Sequence, residues 1–164
     1  MKPAVYKMKR EGWKYYFELH VSRTTKAMLA HCKELGREAP LDTLAQVSPF
    51  CRSNIGTKDF DGLFAIMFVS EENLGVGLLA HECLHVAMAY ERFVNGFKMC
   101  YGPQCGDDEE RLAYLMTDAI KGVVNTLRDN GHLHDGNQSK ELNQEPSGKA
   151  GKHTGQGPTP RGRR

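Results

Sequence analysis

His81-Glu82-Cys83-Leu84-His85 is an HExxH pentapeptide, and its residue types and spacing carry the clearest chemistry in the chain. On an α-helix, side chains four positions apart stand one turn above each other on the same face, so both imidazoles can reach a single metal ion. Glu82, one residue further round, then faces a water on that ion. The flanks Leu78-Leu79-Ala80 and Val86-Ala87-Met88-Ala89 make this helix apolar nearly all round, which belongs in a protein interior. Two histidines and a glutamate buried there without partners would cost on the order of several kcal/mol, whereas a bound cation satisfies all three. The chemistry such a trio performs is hydrolysis. The ion acidifies water and polarises a carbonyl, and Glu82 acts as general base and later returns the proton to the leaving amine. Tyr90, Tyr101 and Tyr114 are candidates for an oxyanion donor, and nothing in their spacing chooses among them. The competing reading is plainer: two half-buried histidines hydrogen-bonded to backbone, with Glu82 at the rim.

A zinc site also needs a third protein ligand and an open position for water. Asp107-Asp108-Glu109-Glu110 opens a second helix that runs to about Asp129. Its apolar stripe is Leu112, Ala113, Met116, Ile120, Val123, Val124 and Leu127, and Asn130-Gly131 supplies the stop. Helical phase sets Glu109 in the middle of that stripe, in line with Met116, Ile120 and Leu127. Glu110 falls at its edge beside Ala113 and Thr117. Glu110 has a structural role open to it as well, as the N3 partner of a capping box with Asp107 at the N-cap.

The pairing of His81-Glu82-x-x-His85 with Glu110-x-x-Ala113-Tyr114, some two dozen residues on, resembles the gluzincin branch of the zincin-like metallopeptidases. Within that group the closest resemblance is to small zincin-like proteins encoded by phages and prophages. It covers roughly residues 60 to 128. The resemblance implies zinc, with His81, His85 and Glu110 as ligands and Glu82 as the catalytic base, acting on a polypeptide substrate. Glu109 is the reserve for the third ligand. It also implies that the strand before the active helix offers a free edge to an extended peptide. The chain departs from better-known gluzincins in having Tyr114 where many carry an Asp after the Ala.

Elements must position these groups. Trp13, Tyr15, Phe17, Leu19 and Val21 alternate with Lys14, Tyr16, Glu18 and His20, a period of two that predicts a strand with one buried face. Thr24 or Thr25 caps a helix carrying Met28, Leu29, Cys32 and Leu35, which Gly36 ends. Leu41 to about Val47 alternates weakly as a second strand, Cys51 to Asp61 is a loop or hairpin connection, and Leu63 to Val69 is a third strand. Ser70 or Asn73 caps the HExxH helix. The expected fold is α+β: a small zincin-like domain with a three-stranded sheet, a backing helix, the HExxH helix and a C-terminal helix carrying the third ligand. His20 and His31 read as ordinary surface residues, and Cys83 as core.

Composition sets the limits of this domain. Residues 1–130 contain enough aliphatic and aromatic side chains for one core. From 131 to 164 the chain is rich in Gly, Pro, Gln, Ser and Lys and almost free of large apolar groups, which predicts a disordered tail. The chain's net charge is +2. The tail has six basic against three acidic residues, so the basicity is the tail's and the body is slightly acidic. Such a tail can touch nucleic acid, as in a DNA-associated protease similar in logic to the SprT-like family. Its sparse charge and lack of interleaved aromatics fit a solubilising role better, and the same holds against stray metal at His132, His134 and His153. Five cysteines, Cys32, Cys51, Cys83, Cys100 and Cys105, form no disulfide framework, and Cys100 and Cys105 read as loop thiols. With no N-terminal apolar leader and no run long enough to span a bilayer, the expected setting is cytoplasmic, the host's cytoplasm if the chain is phage-encoded. From a different class, the chain could be a phage accessory or binding module that keeps a metal for stability and cleaves nothing.

Overall fold

The computed structural model describes residues 2–40, 42–50, 61–96 and 106–133. The chain runs β1 (Ala4–Met8), β2 (Tyr16–Ser22), α1 (Thr25–Glu34), β3 (Ala45–Pro49), β4 (Leu63–Ser70), a 3-10 turn (Glu71–Asn73), α2 (Val76–Asn95) and α3 (Gly106–Asp129). It is a mixed α+β fold on a sheet of order β1-β2-β4-β3. β2 and β4 pair in parallel, and the two outer strands are antiparallel to their neighbours.

The expected three strands are therefore four. Lys2 to Met8 was given no element, yet Ala4, Tyr6 and Met8 turn inward on an edge strand paired with β2. Trp13 does not begin β2. A turn closed by Trp13 N–H on the Arg10 carbonyl, with Gly12 in the left-handed region, delays the strand to Tyr16. Trp13 still reaches the core, stacked 4.5 Å from the Tyr90 ring.

Side-chain alternation divides two cores across the sheet. Phe17, Leu19 and Val21 of β2 with Ala65, Met67 and Val69 of β4 face Leu79, Cys83, Val86 and Tyr90 of α2 and Ala119, Val123 and Leu127 of α3. On the other face Ile66 and Phe68 meet Met28 and Cys32 of α1. So β2 is covered on both sides, which corrects the expectation of a single buried face. Glu18 and His20, on the side expected to be solvated, lie under α1, and His20 is only 5% exposed. Its ring bonds to His31 instead of to water.

Helix ends follow local chemistry. Thr24 caps α1 by accepting from Ala27 N–H, as expected. Gly36 ends that helix in the left-handed region, with Arg37 N–H on the Cys32 carbonyl and Gly36 N–H on that of Lys33, the paired bonds of a Schellman cap. The same pair recurs where His132 and Gly131 bond back to Leu127 and Arg128 at the end of α3. Neither Ser70 nor Asn73 caps α2, whose N-cap is Gly75 without a side-chain bond. Their polar atoms go elsewhere: Asn73 donates to Thr25 Oγ1 at 2.7 Å, and Glu72 accepts from Thr25 N–H at 2.9 Å. This network ties the start of α1 to the turn that launches α2.

His132 also departs from expectation. Instead of lying free in a tail, it accepts or donates at Tyr6 Oη (2.7 Å) and pairs with Glu71 at 2.6 Å, while Leu133 packs on the main core. Residues 134–164 lie outside the described residues. No helix among the described residues is long and apolar enough to cross a membrane.

Candidate metal centre

α2 carries the pentapeptide on one turn as expected, but its histidines are not in the interior: His81 and His85 are exposed and only Glu82 of the three is buried. Leu79, Cys83, Val86 and Tyr90 face the sheet and are buried, so His81 and His85 emerge together on the opposite, exposed side. Their Nε2 atoms stand 3.1 Å apart, with the rings edge to face. Two nitrogens sharing a tetrahedral zinc at about 2.05 Å would be separated by about 3.3 Å. The pair is thus preset at nearly the chelating span. Without a cation, two bare lone pairs cannot face each other so closely, and one ring must lend its Nε2 proton to the other. A cation replaces that proton.

Glu82 occupies the position between ligand face and core and is 5% exposed. Burial raises its proton affinity above that of an ordinary carboxyl, and the neighbouring His85 and His81 partly counter the shift. A carboxylate in that setting suits a base that must take a proton and give it back. Cys83 points into the core, as expected. Burial, with Glu82 adding to it, pushes its thiol up to about 12.

The third predicted ligand is not brought to the pair. Glu110 and Glu109 are both exposed, and Glu110 accepts a 3.3 Å bond from Tyr114 one turn on. Among the described residues, no three His, Cys, Asp or Glu side chains form a group that could hold a metal ion. The helix register explains this spacing. Arg111, at the start of α3, grips Glu91 near the end of α2, and His132, just past the end of α3, grips Glu71 just before α2. The helices therefore run antiparallel. Glu91 lies about 9 Å of helical rise beyond His85, so Glu110, beside Arg111, starts its helix well past the histidines. The same two ties set roughly residues 117 to 121 of α3 level with His81 and His85. The acid among those is Asp118, half-buried, which the EExxAY pattern gave no reason to single out.

Sequence reasoning also missed Glu91. Its carboxylate is 2% exposed and receives Arg111 in a two-pronged pair at 2.9 and 3.0 Å, with Asn95 adding a third bond at 2.8 Å. Asp108 then braces Arg111 from the first turn of α3. This is the device that fixes α3 beside α2. Of the three tyrosines, Tyr90 is buried and its hydroxyl accepts from Lys14 N–H at 2.9 Å, while Tyr114 is 66% exposed. Tyr101, Asp107's side chain, Cys51, Cys100 and Cys105 lie outside the described residues.

The free edge expected on the strand before α2 is not there. β4 is hydrogen-bonded on both sides, by β2 and β3. The edge on that side of the sheet is β3, against which α2 also packs. Compared with protein-family models, curated proteins and solved structures, the chain matches none of them.

Proposed function

We propose that the chain is a metal-dependent hydrolase of peptide bonds that uses zinc. The observation that carries this reading is the 3.1 Å separation of His81 and His85 Nε2 atoms on the exposed face of α2, with a buried carboxyl one residue from the first. His81 and His85 would hold the ion, and a carboxylate of α3 would complete its protein ligands: Glu110 is the one the resemblance implies, while the register of α3 sets Asp118 nearest their level. Bound there, zinc supplies the Lewis acidity that activates water and polarises a carbonyl. Glu82 would serve as the base for that water and pass the proton on to the departing amine, and its raised proton affinity favours the first of these transfers. A polypeptide substrate is the class that this chemistry implies, a carbonyl attacked by water with release of an amine.

The test is elemental analysis of the purified chain alongside hydrolysis of an unfolded protein. One zinc per chain, lost in His81→Ala and in His85→Ala, is expected. Glu82→Gln should keep the zinc and lose hydrolysis by about 10²- to 10⁴-fold. Zinc retained in both histidine variants would overturn the site. A zinc-loaded parent that cleaves no unfolded protein or peptide would instead favour a metal-stabilised binding module.

A further inference from the structure

On the far side of the sheet from the metal helix, four titratable side chains form a line through the α1 interface. Glu18 Oε2 stands 2.9 Å from His20 Nε2, His20 Nδ1 stands 2.8 Å from His31 Nε2, and His31 Nδ1 faces Glu34 Oε2 at 3.6 Å. The two rings are stacked at 5.1 Å, and Phe68 closes against both. The side chains of His20 and His31 are 6% and 15% exposed.

The neighbours dictate the protons. An ionised Glu18 can only accept, so His20 carries its hydrogen on Nε2 and leaves Nδ1 bare. His31 must then donate from Nε2, and its own Nδ1 is left open toward Glu34. A hydrogen placed on His31 Nδ1 fits this line, since it points toward Glu34 Oε2. One arriving at His20 Nδ1 does not, because two N–H groups would meet across 2.8 Å. We propose that the His20–His31 contact is an acid-operated latch that holds α1 on the sheet while the rings share one N–H···N proton, and that releases α1 when His20 gains a second.

Every face of His20 supports this. Its register partners are Val5 on β1 and Phe68 on β4, both apolar. On its own strand Glu18 holds Nε2, and Lys7, opposite Glu18 on β1, lays its ammonium over the Tyr16 ring. From α1 come His31, Glu34 and Cys32, whose buried thiol is pushed up and stays neutral. Among the described residues no carboxylate is hydrogen-bonded to His20 Nδ1. Consistent with that, burial lowers the His20 pKa from 6.5, outweighing the opposing pull of Glu18, and His31 lowers it further. A histidine with depressed affinity in the closed state makes closure favourable at neutral pH. That advantage is lost as pH falls below about 6.5. A zinc site is the other chemistry two histidines can offer, but these rings are stacked and buried under α1, with Glu18 already on His20 Nε2.

The experiment is amide hydrogen exchange of the full chain at pH 7 and pH 5, read as protection factors. Protection in α1 should fall roughly tenfold more than protection in α3. His20→Leu and His31→Gln should each abolish that difference, the first by removing the titrating ring and the second because its amide can flip to accept from a protonated His20. Zinc added at pH 7 should leave α1 exchange unchanged. Long-range nitrogen NMR of the parent at pH 7 should find hydrogen on Nε2 of both rings, which tests the line independently of any variant. An α1 response no larger than that of α3, a response surviving in either variant, a His20 hydrogen on Nδ1, or protection of α1 by zinc would each overturn the latch.

Discussion

Replacing Arg111 by Ala should unfold this protein far more easily than removal of a half-exposed side chain suggests. The guanidinium is 46% exposed, which by itself marks a surface pair worth about 0 to 1 kcal/mol. Its partner decides the outcome. Glu91 is 2% exposed, and two of its three hydrogen bonds come from Arg111. The variant strands a carboxylate with one amide donor in an otherwise apolar helix interface. Orphaning a buried charge costs about 3 to 5 kcal/mol, and water entering by the vacated arginine discounts this to about 3 kcal/mol. At roughly 4 °C per kcal/mol for a body of this size, Tm should drop by about 12 °C. Urea unfolding followed by far-UV circular dichroism measures it. Arg111→Lys, with one ammonium in place of a planar fork, should lose about half as much. Glu91→Met combined with Arg111→Ala should recover most of the loss, since no charge is then buried. A loss under about 1 kcal/mol for Arg111→Ala, or a double variant less stable than the single, would refute the claim that the buried Glu91 carboxylate depends on this pair.

The third ligand can be found by zinc content across Glu110→Ala, Glu109→Ala and Asp118→Ala. Loss in Glu110→Ala fits the EExxAY pattern, and loss in Asp118→Ala alone would show that the level of α3 decides. Cys83, pushed up to about 12 and buried, should resist thiol reagents at pH 8 in the folded chain and react at once in denaturant. Tyr16 donates to Asp61 and is buried, and these effects raise its pKa well above 10.0. The folded state keeps that proton longer than the unfolded chain, so stability should fall as pH rises above 10, and Tyr16→Phe should remove that part of the slope in urea titrations. Gly131→Ala places a side chain at φ 74 with open space around it, so backbone strain alone should cost about 1 to 2 kcal/mol by thermal melt.

Apolar periodicity located α2 and α3 because their stripes are long, and the stops at Gly36 and Gly131 were legible because a Schellman cap is written in one glycine and its helix. β1 is only five residues long and its apolar residues do not alternate with polar ones, so no period of two announces it, and pairing with β2 is what makes it a strand. The larger errors share a different cause. Alternation of Glu18 and His20 with apolar neighbours was read as exposure, but it reports polarity, and a polar face can be buried whenever a second polar face is laid on it. His31 does this for His20, and Arg111 does it for Glu91.

The same reasoning bears on the metal centre. HExxH is local, so one helix turn sets the separation of its histidines, and the sequence dictates that turn. A third ligand on another helix is set by the slide of α3 along α2, and that slide is governed by Arg111 on Glu91 and His132 on Glu71. Those pairs join residues 20 and 61 positions apart, beyond the reach of any spacing rule. The choice among Glu109, Glu110 and Asp118 is therefore a question about two side-chain pairs remote from His81 and His85, and, if the proposed site holds zinc, variants that loosen either pair should shift zinc affinity without touching a ligand.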